Sequence, residues 1–191
     1  MTTTPTLVGR GVRLVPLAAE HAPALAPLVD DALWAGMTTP LPGTVDAMER
    51  HVVGLASRPG VVAFAVVDEL LEPGAVVGVT SFYDVELRLG RVEVGHTFYG
   101  RRWWGTHVNP AAKLALLTHA FDVWGVERVA LRADARNARS LAAIERLGAT
   151  REGVLRSHRV APDGSRGDTV YFSILRAEWP ATRAHLEARL A

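Results

Sequence analysis

Thr97-Phe98-Tyr99-Gly100-Arg101-Arg102-Trp103-Trp104-Gly105-Thr106-His107-Val108-Asn109-Pro110 is the stretch whose reading decides the fold of this chain. The run that leads into it, Arg91 to Phe98, reads as a strand. A glycine-containing loop follows and opens directly into a helix. Asn109 offers a capping side chain, and Pro110 fits the first helical position, where its missing N–H costs nothing. Such a helix start presents unpaired N–H groups and the positive end of the helix dipole, which together hold phosphate oxygens. Arg101 and Arg102 add two cations for charge-assisted bonds. An ordinary β-to-α connection with a solvated arginine pair fits the same residues. Neither G-x-x-x-x-G-K-[ST] nor G-x-G-x-x-G occurs at this junction.

Downstream, Leu114, Leu117, Phe121 and Trp124 give the helix one apolar face, and Gly125 ends it. Arg128 to Ala133 reads as a short strand. Asn137 caps a further helix that turns Leu141, Ile144 and Leu147 inward. Arg151 to Val160 and Asp168 to Leu175 read as a hairpin turning at Pro162-Asp163-Gly164, and residues 178–191 as a C-terminal helix. Upstream, Gly11 to Leu17 alternates as a strand, Glu20 to Val29 patterns as a helix, and Thr44 caps another helix reaching Arg58. Val61 to Val67 is apolar on both sides, as a strand covered on two faces would be. Ala75 to Phe82 pairs with Arg91 to Phe98 across a polar loop from Asp84 to Gly90. The order β-α-α-β-β-β-α-β-α-β-β-α predicts an α/β (α+β) fold, a mixed sheet of about seven strands with helices packed on its faces.

With 191 residues, 49% hydrophobic and 21% charged, the chain suits one folded domain spanning 1–191, with residues 1–6 expected to be disordered. The absence of cysteine removes thiol nucleophiles, disulfides and thiolate metal sites, and it suits the cytoplasm. Met1 to Pro5 does not read as the start of a signal peptide, and no apolar run is long enough for a membrane span. A net charge of +1, with acidic residues interspersed throughout, argues against an arginine-rich nucleic-acid binder. No histidine or carboxylate cluster has metal-ligand spacing, so no metal is expected. His21, His51, His119 and His185 read as packing or surface residues on helices.

The loop resembles motif A of the GNAT acyltransferases, Arg/Gln-x-x-Gly-x-Gly/Ala, with Arg102, Gly105 and His107 at the three diagnostic positions. The likeness is strongest to the RimJ/RimL-like branch. It runs through Glu93-Val94-Gly95-His96, Gly105-Thr106-His107-Val108-Asn109, Ala112-Lys113, Asp134 to Ser140 and Ile144 to Ala149, and on through Arg151 to Arg156. The resemblance implies a GNAT-like, mostly antiparallel twisted sheet and an acetyl-CoA-dependent N-acetyltransferase. It implies a coenzyme A site at His96, Thr97, Phe98, Arg101, Arg102, Trp104, Gly105, Thr106, His107, Val108, Asn109, Asn137 and Ser140. His107 departs from the Gly or Ala of the motif, and Trp104 from a small or polar residue. Main-chain binding tolerates His107 if its side chain points away from the phosphates.

By the same resemblance, the pantetheine arm lies along Arg91 to Phe98 while Arg128 to Ala133 splays away, and Ser140 protonates the leaving thiolate. For the general base the choice is Glu93, with Asp84, Glu152 and His158 as alternatives. Strand parity puts Glu93 on the face of Gly95 and Thr97, about 13 Å of strand from Thr97. A partner for a neighbouring arginine is the other reading of Glu93. The acceptor is an amine, on a small molecule or a protein N-terminus, with no nucleic acid or membrane partner expected; homodimers are common in the fold. A non-catalytic acyl-CoA-binding sensor is the rival function.

Overall fold

In the computed structural model, which describes residues 4–191, the apolar runs assemble into one sheet. Its strands are β1 Leu7–Gly9, β2 Val12–Pro16, β3 Val62–Asp68, β4 Val76–Glu86, β5 Arg91–Tyr99, β6 Arg128–Asp134, β7 Thr150–Val160 and β8 Arg166–Leu175. They lie in the order β1-β2-β3-β4-β5-β6-β8-β7, and β5 with β6 is the one parallel pair among the described residues. The sheet is therefore mixed and mostly antiparallel, with eight strands where the sequence pattern gives seven. The additional strand, β1, is three residues long, too short for alternation to mark it. Of the segment expected to be disordered, residues 1–3 lie outside the described residues, and residues 4–6 precede β1 without helix or strand.

Helices cover both faces. α1 Ala22–Leu25, α2 Asp31–Trp34 and α3 Val45–Ala56 bury Leu25, Leu33, Trp34, Met48 and Val52 on one side. α4 Val108–Thr118, α5 Ala138–Glu145 and α6 Trp179–Arg189 bury Val108, Leu116, Ile144, Trp179 and Leu186 on the other. β3 serves both layers: Phe64 and Val66 face α4, while Ala63 and Ala65 face α3.

Three expected elements take a different form. The helix read over Glu20 to Val29 is broken into a 3-10 turn, the four-residue α1 and a second 3-10 turn. Pro23 and Pro27 explain the breaks, since each deletes a donor from the helical ladder. The expected loop from Asp84 to Gly90 is shorter, because β4 runs on through Glu86 and a 3-10 turn completes the connection. α4 starts at Val108 with His107 at the cap position, so Asn109 is not its cap and Pro110 is the third helical residue. A proline there still removes only an N–H of the first turn, which has no partner within the helix.

One irregularity governs the site. β4 and β5 pair Val79 with Phe98 and Ser81 with Gly95, so β5 holds one residue more than β4 in this interval. His96 takes up the excess at φ 46, a left-handed conformation uncommon outside glycine. The bulge reverses the parity of β5: Val92 and Val94 face the α4 layer, but beyond the bulge Phe98 faces α3 and Tyr99 faces α4. Thr97 is bonded to Lys113 of α4. Thr97 therefore does not share a face with Glu93, and the parity expectation fails at His96.

Candidate active site

The ladder between β5 and β6 runs from Arg91↔Arg128 to Val94↔Leu131 and stops. β6 continues to Asp134 bonded to β8, while β5 runs on to Tyr99 without β6 beside it. The two strands thus splay, leaving the main chain of residues 95–99 open along one edge. The slot ends where the 100–107 loop meets the start of α5. Arg139 Cζ lies 3.8 Å from the centre of the Trp104 ring, and Arg101 Cζ 4.8 Å from it.

The loop is tethered from outside. Arg101 makes two bonds to Asp30, at 2.8 and 2.7 Å, and holds that carboxyl down at about 2. Arg102 pairs with Glu72 at 3.1 Å. Both arginines expected to meet phosphate are thus engaged by carboxylates. The Trp104 indole donates to the Tyr99 carbonyl at 2.8 Å, and the Thr106 hydroxyl to that of Trp103 at 2.8 Å. His107 points away from the loop, with Nε2 3.1 Å from both the Gly11 carbonyl and Asp68 Oδ1. Both neighbours only accept, so Nε2 carries the proton. Gly105 is at φ 74 with open space where a Cβ would stand. Its N–H and that of His107 make no hydrogen bond among the described residues, and Val108 and Asn109 open the helix behind them. Two unpaired donors beside a helix start therefore remain available for an anion.

Inside the slot, His96 Nδ1 bonds Ser81 Oγ at 2.9 Å and its ring meets Tyr83 edge-on at 4.8 Å. Burial, with Arg58 and Arg132 adding to it, pushes the imidazole down to about 4, so it is neutral at pH 7. Phe98 packs against Trp34. Thr97 Oγ1 lies 2.8 Å from Thr80 Oγ1 and accepts from Lys113 Nζ at 3.0 Å. Nothing in strand or helix pattern marks this buried lysine. Its signal is compositional, a single Lys in an otherwise apolar helix and in the whole chain.

Across the slot, Asn137 caps α5 as expected: its Oδ1 accepts from the Ser140 N–H at 3.0 Å. The Ser140 hydroxyl has no hydrogen bond among the described residues. Asn137→Ala removes the cap and should lower unfolding free energy by about 1 kcal/mol, read as a shift of the urea midpoint. A midpoint equal to wild type would deny the cap its weight.

Glu93 lies across from Tyr83 on β4 and Ala130 on β6. Its Oε2 faces Arg132 Nε at 3.4 Å without hydrogen-bond geometry, so the arginine partnership read from sequence is present. Glu93, Asp84, Glu86, Arg91, Arg128 and Tyr171 line a recess of about 450 Å³. Of the alternative bases, Glu152 is tied to both Arg128 nitrogens and to Ser173, and His158 bonds Thr169. Asp84 stands at the rim at φ 48. Among the described residues no His, Asp and Glu group is placed to hold a metal, and no helix is long and apolar enough to cross a membrane. On their helices His51 packs against Trp34, His119 against Trp124, and His185 bonds the Arg146 carbonyl.

A family model described as an acetyltransferase (GNAT) domain matches residues 12–150. A Bacillus subtilis protein named "Putative ribosomal N-acetyltransferase YdaF" is 32% identical over 110 residues, 58% of this chain and 59% of its own length. The chain thus spans about three-fifths of that curated relative. A solved "putative acetyltransferase" from T. thermophilus is 40% identical with TM-score 0.91, over 100% of both chains. Mycobacterium smegmatis RimJ, solved with CoA-disulfide, superposes with TM-score 0.77 at 21% identity, over 97% of this chain and 93% of its own. At that identity RimJ speaks to the fold. The RimJ/RimL-like character read from the sequence is matched by the name of the B. subtilis relative.

Proposed function

This chain belongs to the GNAT acetyltransferase family, and from that premise we propose that it moves an acetyl group from acetyl-CoA to a primary amine in a ternary complex. The observation that carries the reading is the splay of β5 from β6 after Val94↔Leu131, ending at a helix start with free N–H groups. The donors fit the cosubstrate. The N–H groups of Gly105 and His107 and the first turn of α4 would hold the diphosphate, with Arg139 and Trp104 at the mouth of the slot. The open main chain of residues 95–99 would pair with the pantetheine amides. Bound there, acetyl-CoA supplies the acetyl group as a thioester.

The chain's own residues then have four tasks. The main chain at His96 and Thr97, in the bulge, donates toward the carbonyl where negative charge develops. Glu93 accepts the proton of the incoming ammonium, directly or through a water. The free hydroxyl of Ser140 passes a proton to the departing sulfur and regains one from the amine nitrogen, which sheds its second proton as the amide forms. The slot and the recess beside Glu93 hold donor and acceptor together, which supplies much of the rate. The acceptor is a small-molecule amine or a protein N-terminus; the name of the B. subtilis relative favours ribosomal proteins for the latter. The cysteine-free composition suits action in the cytoplasm.

Coenzyme A at a hundredfold excess over its dissociation constant should stabilise the fold by about 2.7 kcal/mol, with NAD and ATP far less effective. A melting temperature unmoved by either coenzyme A form would remove the cofactor from the reading. Release of free thiol from acetyl-CoA, followed across a panel of amines, tests catalysis. Binding without amine-dependent thiol release would favour the rival reading, an acyl-CoA sensor.

A further inference from the structure

Lys113 is the one lysine of the chain, and it is 6% exposed in a stretch of α4 buried from Val108 to Leu117 except at Asn109. Its Nζ donates to Thr97 Oγ1 at 3.0 Å and Thr80 Oγ1 at 3.2 Å. No carboxylate lies in ion-pair range of it among the described residues. A buried ammonium with two neutral partners is costly. A methionine would fill the same space without that cost.

The position of the charge gives it a use. Thr97 stands on β5 beyond the last pair with β6, so its main chain borders the slot. Lys113 is five residues into α4 from Val108, about 7.5 Å of axial rise from the helix start. The ammonium is one hydrogen bond behind Thr97, on the strand along which the proposed cosubstrate would run from its diphosphate toward its sulfur. Resting on that reading of the slot, we propose that Lys113 is a built-in counter-charge for the anionic cosubstrate, so that protonation of Lys113 and binding of coenzyme A favour each other.

Burial drives the Lys113 ammonium down to about 7, and anionic charge brought into the slot pulls it back up. The neighbouring elements offer no competing partner. On β4 and β5, Tyr83, Glu93 and His96 lie on the other face of the sheet, and the buried Tyr99 phenol is held protonated. Asp84, Glu86 and Arg91 gather at the far recess. Arg13 of β2 pairs with Glu69, Arg183 of α6 with Asp122 and Glu187, and His119 packs on Trp124. His185 and Arg189 of α6 bond the Arg146 carbonyl.

The sign follows from linkage: above pH 7 the empty protein has largely lost this proton, so binding takes it back up and affinity weakens as pH rises. Calorimetric titration of coenzyme A at about pH 8, in buffers of different ionisation heat, counts the protons exchanged. Lys113→Met and Lys113→Gln serve as controls, the second keeping N–H donors for the two threonines; both relieve a desolvated charge, so folding should hold. The phosphates of coenzyme A titrate alike in all three proteins. Wild type should take up more proton than either variant, and its dissociation constant should weaken by about tenfold from pH 6.5 to 9 while theirs changes less. Tight binding with equal proton uptake in all three would overturn the counter-charge and leave the cofactor site standing. No binding of coenzyme A to wild type would overturn both.

Discussion

Glu93→Gln is expected to lower the rate of acetyl transfer by about a hundredfold or more, the usual worth of a positioned base. Gln has the shape of Glu but cannot take a proton. Glu93 sits on the α3 face with His96, at the recess where an acceptor would enter, and its Oε2 has no donor beyond the misaligned Arg132 Nε. Oε2 itself is buried, so an ammonium or a bridging water would meet the carboxylate through its exposed part, 17% of the side chain, at the recess. Coenzyme A affinity should barely change, since the proposed contacts are main chain, in the bulge and the loop. The deficit should narrow at high pH, where more of the amine is already neutral. Steady-state rates from pH 7 to 10, with cofactor binding measured separately, check both halves. An undiminished rate at neutral pH in a folded variant would move the role to Asp84, the acidic alternative at the same rim.

What was legible in the sequence was local. The cap at Asn137, the two-sided apolarity of β3 and the β5-to-α4 junction each depend on residues within a few positions of one another, and each is present. The resemblance added the splay of β6, which no local pattern encodes. The bulge was hidden because a left-handed residue is announced in sequence only when it is glycine, and here it is His96. That one concealed residue reversed the parity argument for Thr97.

The electrostatic frame was illegible for a different reason. Asp30 meets Arg101 across 71 positions and Glu72 meets Arg102 across 30, so the carboxylate partners of the two arginines read as phosphate ligands had no local signal. His107 illustrates the same limit from the other side. As a departure from the motif it looked like an obstacle, yet its imidazole reaches Gly11, 96 positions away, and turns from the site. The side chain is directed outward, which is the condition that main-chain binding at this position sets.

Asp68→Ala is expected to cost the fold at least about 3 kcal/mol, the largest stability effect outside the apolar core. Asp68 ends β3 and is fully buried. Its carboxylate accepts from the N–H groups of Leu70, Leu71 and Glu72 at 3.0, 3.3 and 2.9 Å, and from the Trp103 indole at 3.1 Å. His107 Nε2 approaches at 3.1 Å. One side chain thus closes the β3–β4 turn and clamps the proposed phosphate loop to it at Trp103 and at His107. Removing it strands several donors at once, and a buried donor left unpaired costs about 1–3 kcal/mol. Burial alone would raise this carboxyl; the bonds from Leu70, Trp103, Glu72 and Leu71 outweigh it and hold the group below its ordinary value. With the folded value depressed, the stabilisation is present at neutral pH and is lost as pH falls through that value, below the usual carboxylate range. Asp68→Asn, which keeps one acceptor oxygen, should fall between Ala and wild type, and its deficit should shrink in acid. Chemical denaturation of the three proteins at pH 7 and near pH 3 reads all of this. If Asp68→Ala unfolds at the wild-type midpoint, the clamp is ornamental, and the order of the loop must come from the Asp30–Arg101 pair and the packing of Trp103.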